Sequence, residues 1–337
     1  VLSDRQNPIK LMQASHVLFI SSAIVLLFSN NVVASDFSKK ALLLVSAIFT
    51  GFAWSYIAPS RLAALARLVP ADKLHGASVL FNLLIMIGFG VAPIMIAFTR
   101  EAWQWNGVFG LVIAFFTLSS ILALRLNVIL KKETVHYVII EEIRESFRYL
   151  KGNRLVTQAL LVAIITYTIL GPVQVILPRF ATEVLHLSHI DRGYFLGVMA
   201  LALISGGLLC MTLLKKIHQG TAIFSALSCI GIAFMLLSTS QQFYTATIFL
   251  FLSGLTGGVV VSLVVAILQV NTDDWVRGRI MSMYTISSQI IPALSGLMAG
   301  FLLELIPIQQ SIFIIGVLLL LMAIASLFTM DKLKAYP

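Results

Sequence analysis

The sequence contains little charge, and this shortage excludes a soluble globular protein. Charged residues make up 11% of the 337 residues, whereas about a quarter are charged in an ordinary soluble domain. Hydrophobic residues make up 59%, and the mean hydropathy is +0.99. Apolar residues run around the whole helix circumference over stretches of about 20 residues, the length that crosses hydrocarbon. The sequence therefore predicts a membrane protein built from helices.

Cysteine is equally scarce, and residue patterns typical of enzymes and metal sites are missing. Cys210 and Cys229 both fall inside apolar runs, which excludes a disulfide framework and a cysteine-based metal site. The six histidines are dispersed, without the spacing of metal ligands. The sequence contains no phosphate-binding glycine loop and no nucleophile-base or paired-carboxylate constellation. We therefore expect no cofactor, no metal and no enzyme activity.

The basic residues indicate membrane orientation rather than nucleic-acid binding. The formal net charge is +9, but the cations lie in short loops between apolar runs. Counted on alternate sides of the predicted spans, eighteen Lys and Arg residues share the side of both termini. Five lie opposite: Lys39, Lys40, Arg100, Arg179 and Arg192. Both termini of this chain are therefore expected in the cytoplasm, as in a multi-pass protein of a bacterial inner membrane.

Ten apolar runs are long enough to be membrane spans. They cover residues 11–29, 41–58, 76–98, 106–126, 155–177, 193–214, 221–237, 243–268, 280–303 and 308–330. The longest loop divides the chain into a four-span part, 1–126, a linker, 127–153, and a six-span part, 154–337.

The linker has the pattern of an amphipathic helix. Ile139, Ile143, Phe147 and Leu150 recur at helical spacing, with charged residues between them. One interpretation is a solvated connector on the membrane interface, and the other is a brace that couples two moving halves.

Three stretches resemble the major facilitator superfamily. The opening VLSDRQNPIK is similar to its signature loop, with Asp4, Arg5 and Lys10 at the matching acidic and basic positions. The stretches PSRLAALARLVPADKLHGASVLFN, 59–82, and DDWVRGRIMSMY, 273–284, resemble the bacterial efflux branch that includes the enterobactin exporter. The resemblance implies an all-α bundle in which the ten spans are helices 3 to 12 of twelve. The first two helices would precede Val1.

The same resemblance implies candidate gating residues near the cytoplasmic surface. They are Asp4, Arg5, Lys10, Arg61, Asp273, Asp274, Arg277, Gly278 and Arg279. In the family the matching acid helps to close the cytoplasmic side, and a pairing of Arg277 and Arg279 with Asp273, Asp274 or Asp4 would do this here. The alternative is that these charges only cap helices and set orientation.

Polar and aromatic residues at membrane depth are candidates for a substrate cavity. They are Trp54, Tyr56, Tyr167, Gln174, Ser288 and Gln289. Apart from His16, no ionisable residue falls well inside a predicted span, and such a lining suits an amphipathic or apolar substrate. The alternative is that these polar groups only bond across helices.

The leading functional hypothesis is a secondary transporter that exports a small molecule by alternating access, with a proton as one candidate coupling ion. Flipping of a lysophospholipid is a second hypothesis. A third is a non-transporting membrane protein, an inactive remnant without its first two helices. We expect a monomer whose partners are the bilayer and a small-molecule substrate.

Overall fold

The computed structural model describes residues 7–32, 35–70, 73–126, 139–213 and 218–337, and these are helical apart from short connections. The helices are α1 (Pro8–Asn31), α2 (Asp36–Leu68), α3 (Leu74–Leu124), α4 (Ile139–Gly152), α5 (Arg154–Glu183), α6 (His189–Leu213), α7 (Gln219–Thr239), α8 (Phe243–Asn271), α9 (Asp274–Leu305), α10 (Ile308–Thr329) and α11 (Asp331–Lys334).

Nine helices of the described chain are long and apolar enough to cross a membrane, namely α1 to α3 and α5 to α10. Their outward surfaces carry large apolar side chains such as Leu305 and Phe328, which are about four-fifths exposed at 80% and 78%. Such surfaces suit hydrocarbon and are rare on monomeric soluble proteins. The predicted all-α membrane fold is confirmed.

The third and fourth predicted spans are joined in α3. This element has 51 residues, about 77 Å of helix, which is more than twice the thickness of the hydrocarbon core. It is broken at Gln104, whose backbone angles of φ 55° and ψ −158° are not helical. The sequence suggested a loop between two spans, and the structure replaces this loop with a one-residue break between two helices.

Side-chain hydrogen bonds place this break next to the end of α1. The side-chain amide of Asn106 exchanges hydrogen bonds of 2.9–3.0 Å with Asn30 and Asn31 at the end of α1. Thirteen residues further along α3, Ser119 contacts His16 on α1 at 3.2 Å. The second part of α3 therefore runs antiparallel to α1.

The chain groups into two compact units. Unit 1 comprises residues 1–88 and 95–134, and unit 2 comprises 89–94 and 135–337. The linker helix α4 thus belongs to unit 2. In unit 1, α1 and α2 are linked by hydroxyl groups: Ser22 is 2.7 Å from the hydroxyl of Ser46 and 2.9 Å from that of Thr50. Hydrogen bonds of this kind replace charge pairs at membrane depth.

Unit 2 is packed through small residues that let helix backbones approach closely. Gly171 on α5 faces Gly296 on α9, and a methyl group added to Gly171 would overlap the Pro292 carbonyl and the Gly296 amide. Gly206 on α6 and Gly258 on α8 are equally crowded by backbone atoms of the facing helix. Close packing of this kind provides the association that hydrophobic burial cannot provide in lipid.

The close α5–α9 contact predicts that one added methyl group lowers the stability of the protein. Gly171→Ala should lower the free energy of unfolding by about 1–3 kcal/mol, because the rigid backbone of α9 must move. Gly300→Ala is the matched control on α9, since open space surrounds that position. Thermal unfolding of the purified variants in detergent measures both effects, and equal stability of the two variants would show that the helices are not in close contact at Gly171.

Candidate functional site

The predicted gating residues at the start of the chain are only partly described. Asp4 and Arg5 lie outside the described residues. Lys10 is exposed in the first turn of α1. This helix start is capped by Asn7, whose side-chain oxygen accepts a 2.9 Å hydrogen bond from the amide of Ile9.

The second predicted gating segment leads into the start of α9 in unit 2. Asp273 is exposed at the position before α9, and the side chain of Asp274 lies outside the described residues. Arg277 donates a 3.1 Å hydrogen bond to the carbonyl of Thr272. Gly278 has open space around it, so packing does not require its lack of a side chain.

Arg279 has a partner that the sequence analysis did not name. Its guanidinium donates to the carboxylate of Glu145 on α4 at 2.7 Å, and it lies 5.9 Å from the ring centre of Trp275. The sequence suggested Asp273, Asp274 or Asp4 as partners. The pair is half-exposed, so we expect it to contribute about 1 kcal/mol or less by itself.

Tyr149 strengthens the same connection between α4 and α9. Its hydroxyl accepts hydrogen bonds of 3.1 Å from the amide of Asp273 and from the side chain of Asn153, and its ring contacts Trp275 edge-on at 5.9 Å. Asn153 in turn caps α5 by accepting from the amide of Val156 at 3.3 Å. The linker helix is therefore bonded to the start of α5 and of α9.

An open cleft of about 640 Å³ adjoins this network. The cations Lys151, Arg154 and Lys332 line it together with the carboxylate of Asp273. The neighbouring Asp331 accepts a 3.0 Å hydrogen bond from Gln158, and this bond, the amide of Lys332 and nearby positive charge lower the pKa of its carboxyl group. The cleft thus has an excess of positive charge.

The predicted cavity residues of unit 2 lie along the contact between α5 and α9. Tyr167 and Gln174 share a face of α5 with Gly171, which packs on α9. The hydroxyl of Tyr167 is 2.5 Å from that of Tyr284 on α9, and Tyr167 is buried with 8% of its surface exposed. Tyr167 therefore hydrogen-bonds across helices, which is the alternative to a cavity role that the sequence analysis left open.

The remaining predicted cavity residues are more accessible. Gln174 and Gln289 are exposed, and Ser288 is half-buried with its hydroxyl donating to the carbonyl of Thr285 at 2.7 Å. In unit 1, Trp54 is 38% exposed and Tyr56 is half-buried. The sequence analysis missed Tyr284, which hydrogen-bonds with Tyr167. The only signal for it in the sequence is the place of this tyrosine in an apolar helix.

His16 and Arg61 are ionisable residues on membrane-length helices of the described part of unit 1. His16 is 3% exposed and is bonded to Ser119. Arg61 was expected just beyond a span that ends at residue 58, but α2 continues through Pro59 to Leu68, and its apolar part includes Arg61. A proline is tolerated inside a membrane helix where neighbouring groups pair with the released carbonyl.

The Tyr149 network predicts a specific loss of stability. Tyr149→Phe removes the acceptor for the Asp273 amide and the Asn153 side chain, which should lower the free energy of unfolding by about 1–3 kcal/mol. Tyr244→Phe is the matched control, because Tyr244 is 78% exposed on unit 2. Thermal unfolding in detergent makes the comparison, and a Tyr149→Phe protein as stable as the Tyr244→Phe protein would mean that the bonds to Tyr149 contribute nothing.

The chain is similar over nearly its whole length to solved structures of membrane transporters. A POT family transporter in complex with a thioalcohol-conjugated peptide has a TM-score of 0.75 at 13% identity, covering 99% of this chain and 84% of that one. A bacterial homolog of the human lysosomal transporter Spinster, inward-facing and unoccupied, has a TM-score of 0.71 at 14% identity, with coverage of 99% and 85%. A D-xylose-proton symporter has a TM-score of 0.73 at 12% identity, with coverage of 98% and 81%. These identities establish a shared fold only.

Comparison at the sequence level identifies the family. Among curated proteins, none matches the chain significantly. The family model described as Major Facilitator Superfamily matches residues 1–274, which is more than half of the chain. The chain is a multi-pass membrane protein and belongs to the Major Facilitator Superfamily, a family of transporters.

Proposed function

We propose that this secondary transporter exports a small amphipathic or apolar molecule from the cytoplasm across a bacterial inner membrane. The observation that carries the substrate class is the uncharged interior of unit 2. In the described part of that unit, Asp, Glu, Lys, Arg and His occur on α4, on α11 and near the ends of the membrane helices, but not in the middle of a membrane helix. Desolvating a charged substrate there would be costly without a partner charge.

The groups available to a substrate in unit 2 are amides, hydroxyls and aromatic rings. Gln174 and Gln289 are exposed, and Ser288 is partly accessible on the face of α9 that also carries Tyr284. Such groups bind by single hydrogen bonds and apolar contact, which suits molecules with a small polar part. We infer that they contact the substrate.

The direction of transport is proposed from the motif resemblance to the efflux branch. The cytoplasmic position of both chain ends is proposed from the unequal distribution of the 23 Lys and Arg residues. One protein of similar fold is a D-xylose-proton symporter, so a proton is the coupling ion to test first.

The Arg279–Glu145 pair and the Tyr149 contacts are proposed to act in gating. They bond α4 to the start of α9, where the predicted gating residues of the second segment lie. A transporter that alternates between two states responds to small energies, because about 1.4 kcal/mol changes their ratio tenfold. One half-exposed ion pair is thus enough to change the rate without being required for folding.

A dye assay tests the proposed transport. In energised inside-out vesicles that contain the protein, N-phenyl-1-naphthylamine should be removed from the membrane, so that its fluorescence falls, and a proton uncoupler should stop the fall. Vesicles without the protein give the background. A fluorescent lysophospholipid tested in parallel distinguishes the flippase hypothesis. No movement of the dye would refute export of apolar molecules, and movement of the lysolipid alone would favour flipping.

Two variants in this assay separate gating from surface charge. Arg279→Gln should change the initial rate roughly two- to fivefold, the effect of an ion pair of about 0.5–1 kcal/mol. Arg179→Gln is the matched control: it also has a glutamate partner, Glu183 at 2.9 Å, but at the other end of α5. If both variants transport at the wild-type rate, the pair with Glu145 has no gating role.

A further inference from the structure

Arg61 lies in an aromatic environment at the inner part of α2. Its guanidinium carbon is 5.7 Å from the ring centre of Trp54 and 5.5 Å from that of Phe81 on α3. Its Nε atom is buried and has no hydrogen-bond partner in the described chain. Aromatic faces stabilise the cation but accept no strong hydrogen bond from its N–H groups, so the edge of the guanidinium keeps its capacity to donate.

A second polar group near Arg61 is buried with an unpaired atom. His16 interacts electrostatically with Arg61, and its Nδ1 atom is unpaired although the side chain is 97% buried, with 3% exposed. Its other nitrogen, Nε2, is occupied by Ser119 at 3.2 Å. When the serine hydroxyl donates to Nε2, the proton of the neutral ring lies on Nδ1, which is then a donor.

No described carboxylate of unit 1 can neutralise this cluster. The described acidic residues of unit 1 are Asp36 and Glu101. Asp36 is at the opposite end of α2, 25 residues or about 37 Å from Arg61. Glu101 is 20 residues or about 30 Å along α3 from Phe81. The buried Nε donor of Arg61 is costly without an acceptor.

A purely orienting arginine does not account for this arrangement. Such an arginine extends its charged end to the lipid headgroups and water. Here the guanidinium is held by two aromatic rings, and His16 on α1, which interacts with it electrostatically, has an unpaired ring nitrogen. Separate elements of unit 1 therefore contribute hydrogen-bonding groups to one place.

We propose that Arg61 and His16 form a binding site for an oxyanion, namely the carboxylate, sulfonate or phosphate group of an amphipathic substrate. The inference rests on the proposed transport and names the polar end of its substrate. The planar fork of Arg61 matches two oxygens of such a group, and His16 adds a single hydrogen bond.

The test compares two probes that differ by one sulfonate, 1-anilinonaphthalene-8-sulfonate and N-phenyl-1-naphthylamine. Their dissociation constants are measured by fluorescence with the protein in zwitterionic lipid nanodiscs, after subtraction of empty nanodiscs. Arg61→Gln should weaken binding of the sulfonate about tenfold or more and leave the neutral probe unchanged. Arg61→Lys, which keeps the charge without the fork, should lie between. His16→Gln should weaken the sulfonate roughly two- to tenfold.

The matched control is Arg100→Gln. Arg100 also lies in unit 1 and stacks on an aromatic ring, with 4.6 Å to the centre of Trp105, but it is near the break in α3. This variant should bind both probes as the wild type does. If Arg61→Gln does not fold, Arg61→Lys provides the same comparison of the two probes.

Several results would overturn the oxyanion site. They are unchanged sulfonate binding in Arg61→Gln, an equal loss of both probes, and an equal effect of Arg100→Gln. Displacement of the sulfonate probe by inorganic sulfate at equal affinity would assign the site to a free anion instead of an amphipathic molecule. These binding constants do not depend on transport, so failed dye movement with Arg61-dependent sulfonate binding would refute export alone, and normal dye movement without it would refute this site alone.

Discussion

Hydrocarbon cannot hydrogen-bond, and this constraint determines most of the structure. Every backbone N–H and C=O group at membrane depth must find a partner inside the protein, which a helix provides within its own chain. The nine membrane-length helices of the described chain satisfy this condition, and the described connections between α5 and α10 are short. The break at Gln104 lies instead near the end of α1, and only one residue leaves the helical conformation there.

The same solvent determines how the helices associate. Apolar side chains gain nothing by leaving lipid for the protein interior, so contact between helices depends on close approach and on polar pairs. Gly171 against Gly296 and the linked hydroxyls of Tyr167 and Tyr284 join α5 to α9 in both ways. Ion pairs such as Arg279–Glu145 are found instead at the helix ends, where water and headgroups solvate charge.

The helical membrane fold could be predicted because about 20 apolar residues in succession are a strong signal. The ends of the spans were less predictable where a residue type occurs both at the end of a helix and inside one. Pro59 and Arg61 suggested the end of a span, yet α2 continues past both to Leu68. Residues 99–105 were predicted as a loop between two spans, and the structure has a single non-helical residue there, Gln104.

The candidate site was predictable as a set of segments and much less so as a set of partners. The segment 273–284 and the amphipathic linker were both recognised, but 134 residues separate Arg279 from Glu145, and no local pattern connects them. The buried place of Tyr167 depends on Tyr284 in the same way. Arg61 drew attention as a loop charge, whereas its relation to His16 and Phe81 exists only after three helices have packed.

The proposed fold requires that unit 1 crosses hydrocarbon and that α3 forms two spans. Cysteine labelling tests this most directly. In a background with Cys210 and Cys229 replaced by alanine, single cysteines are placed at Lys39, Lys73 and Gln104 and treated with a membrane-impermeant maleimide on intact cells. We expect Lys39→Cys and Gln104→Cys to react from outside, and Lys73→Cys to react only after the membrane is opened. Reaction of Gln104→Cys on the same side as Lys73→Cys would contradict the two-span α3 and the antiparallel packing of its second part on α1.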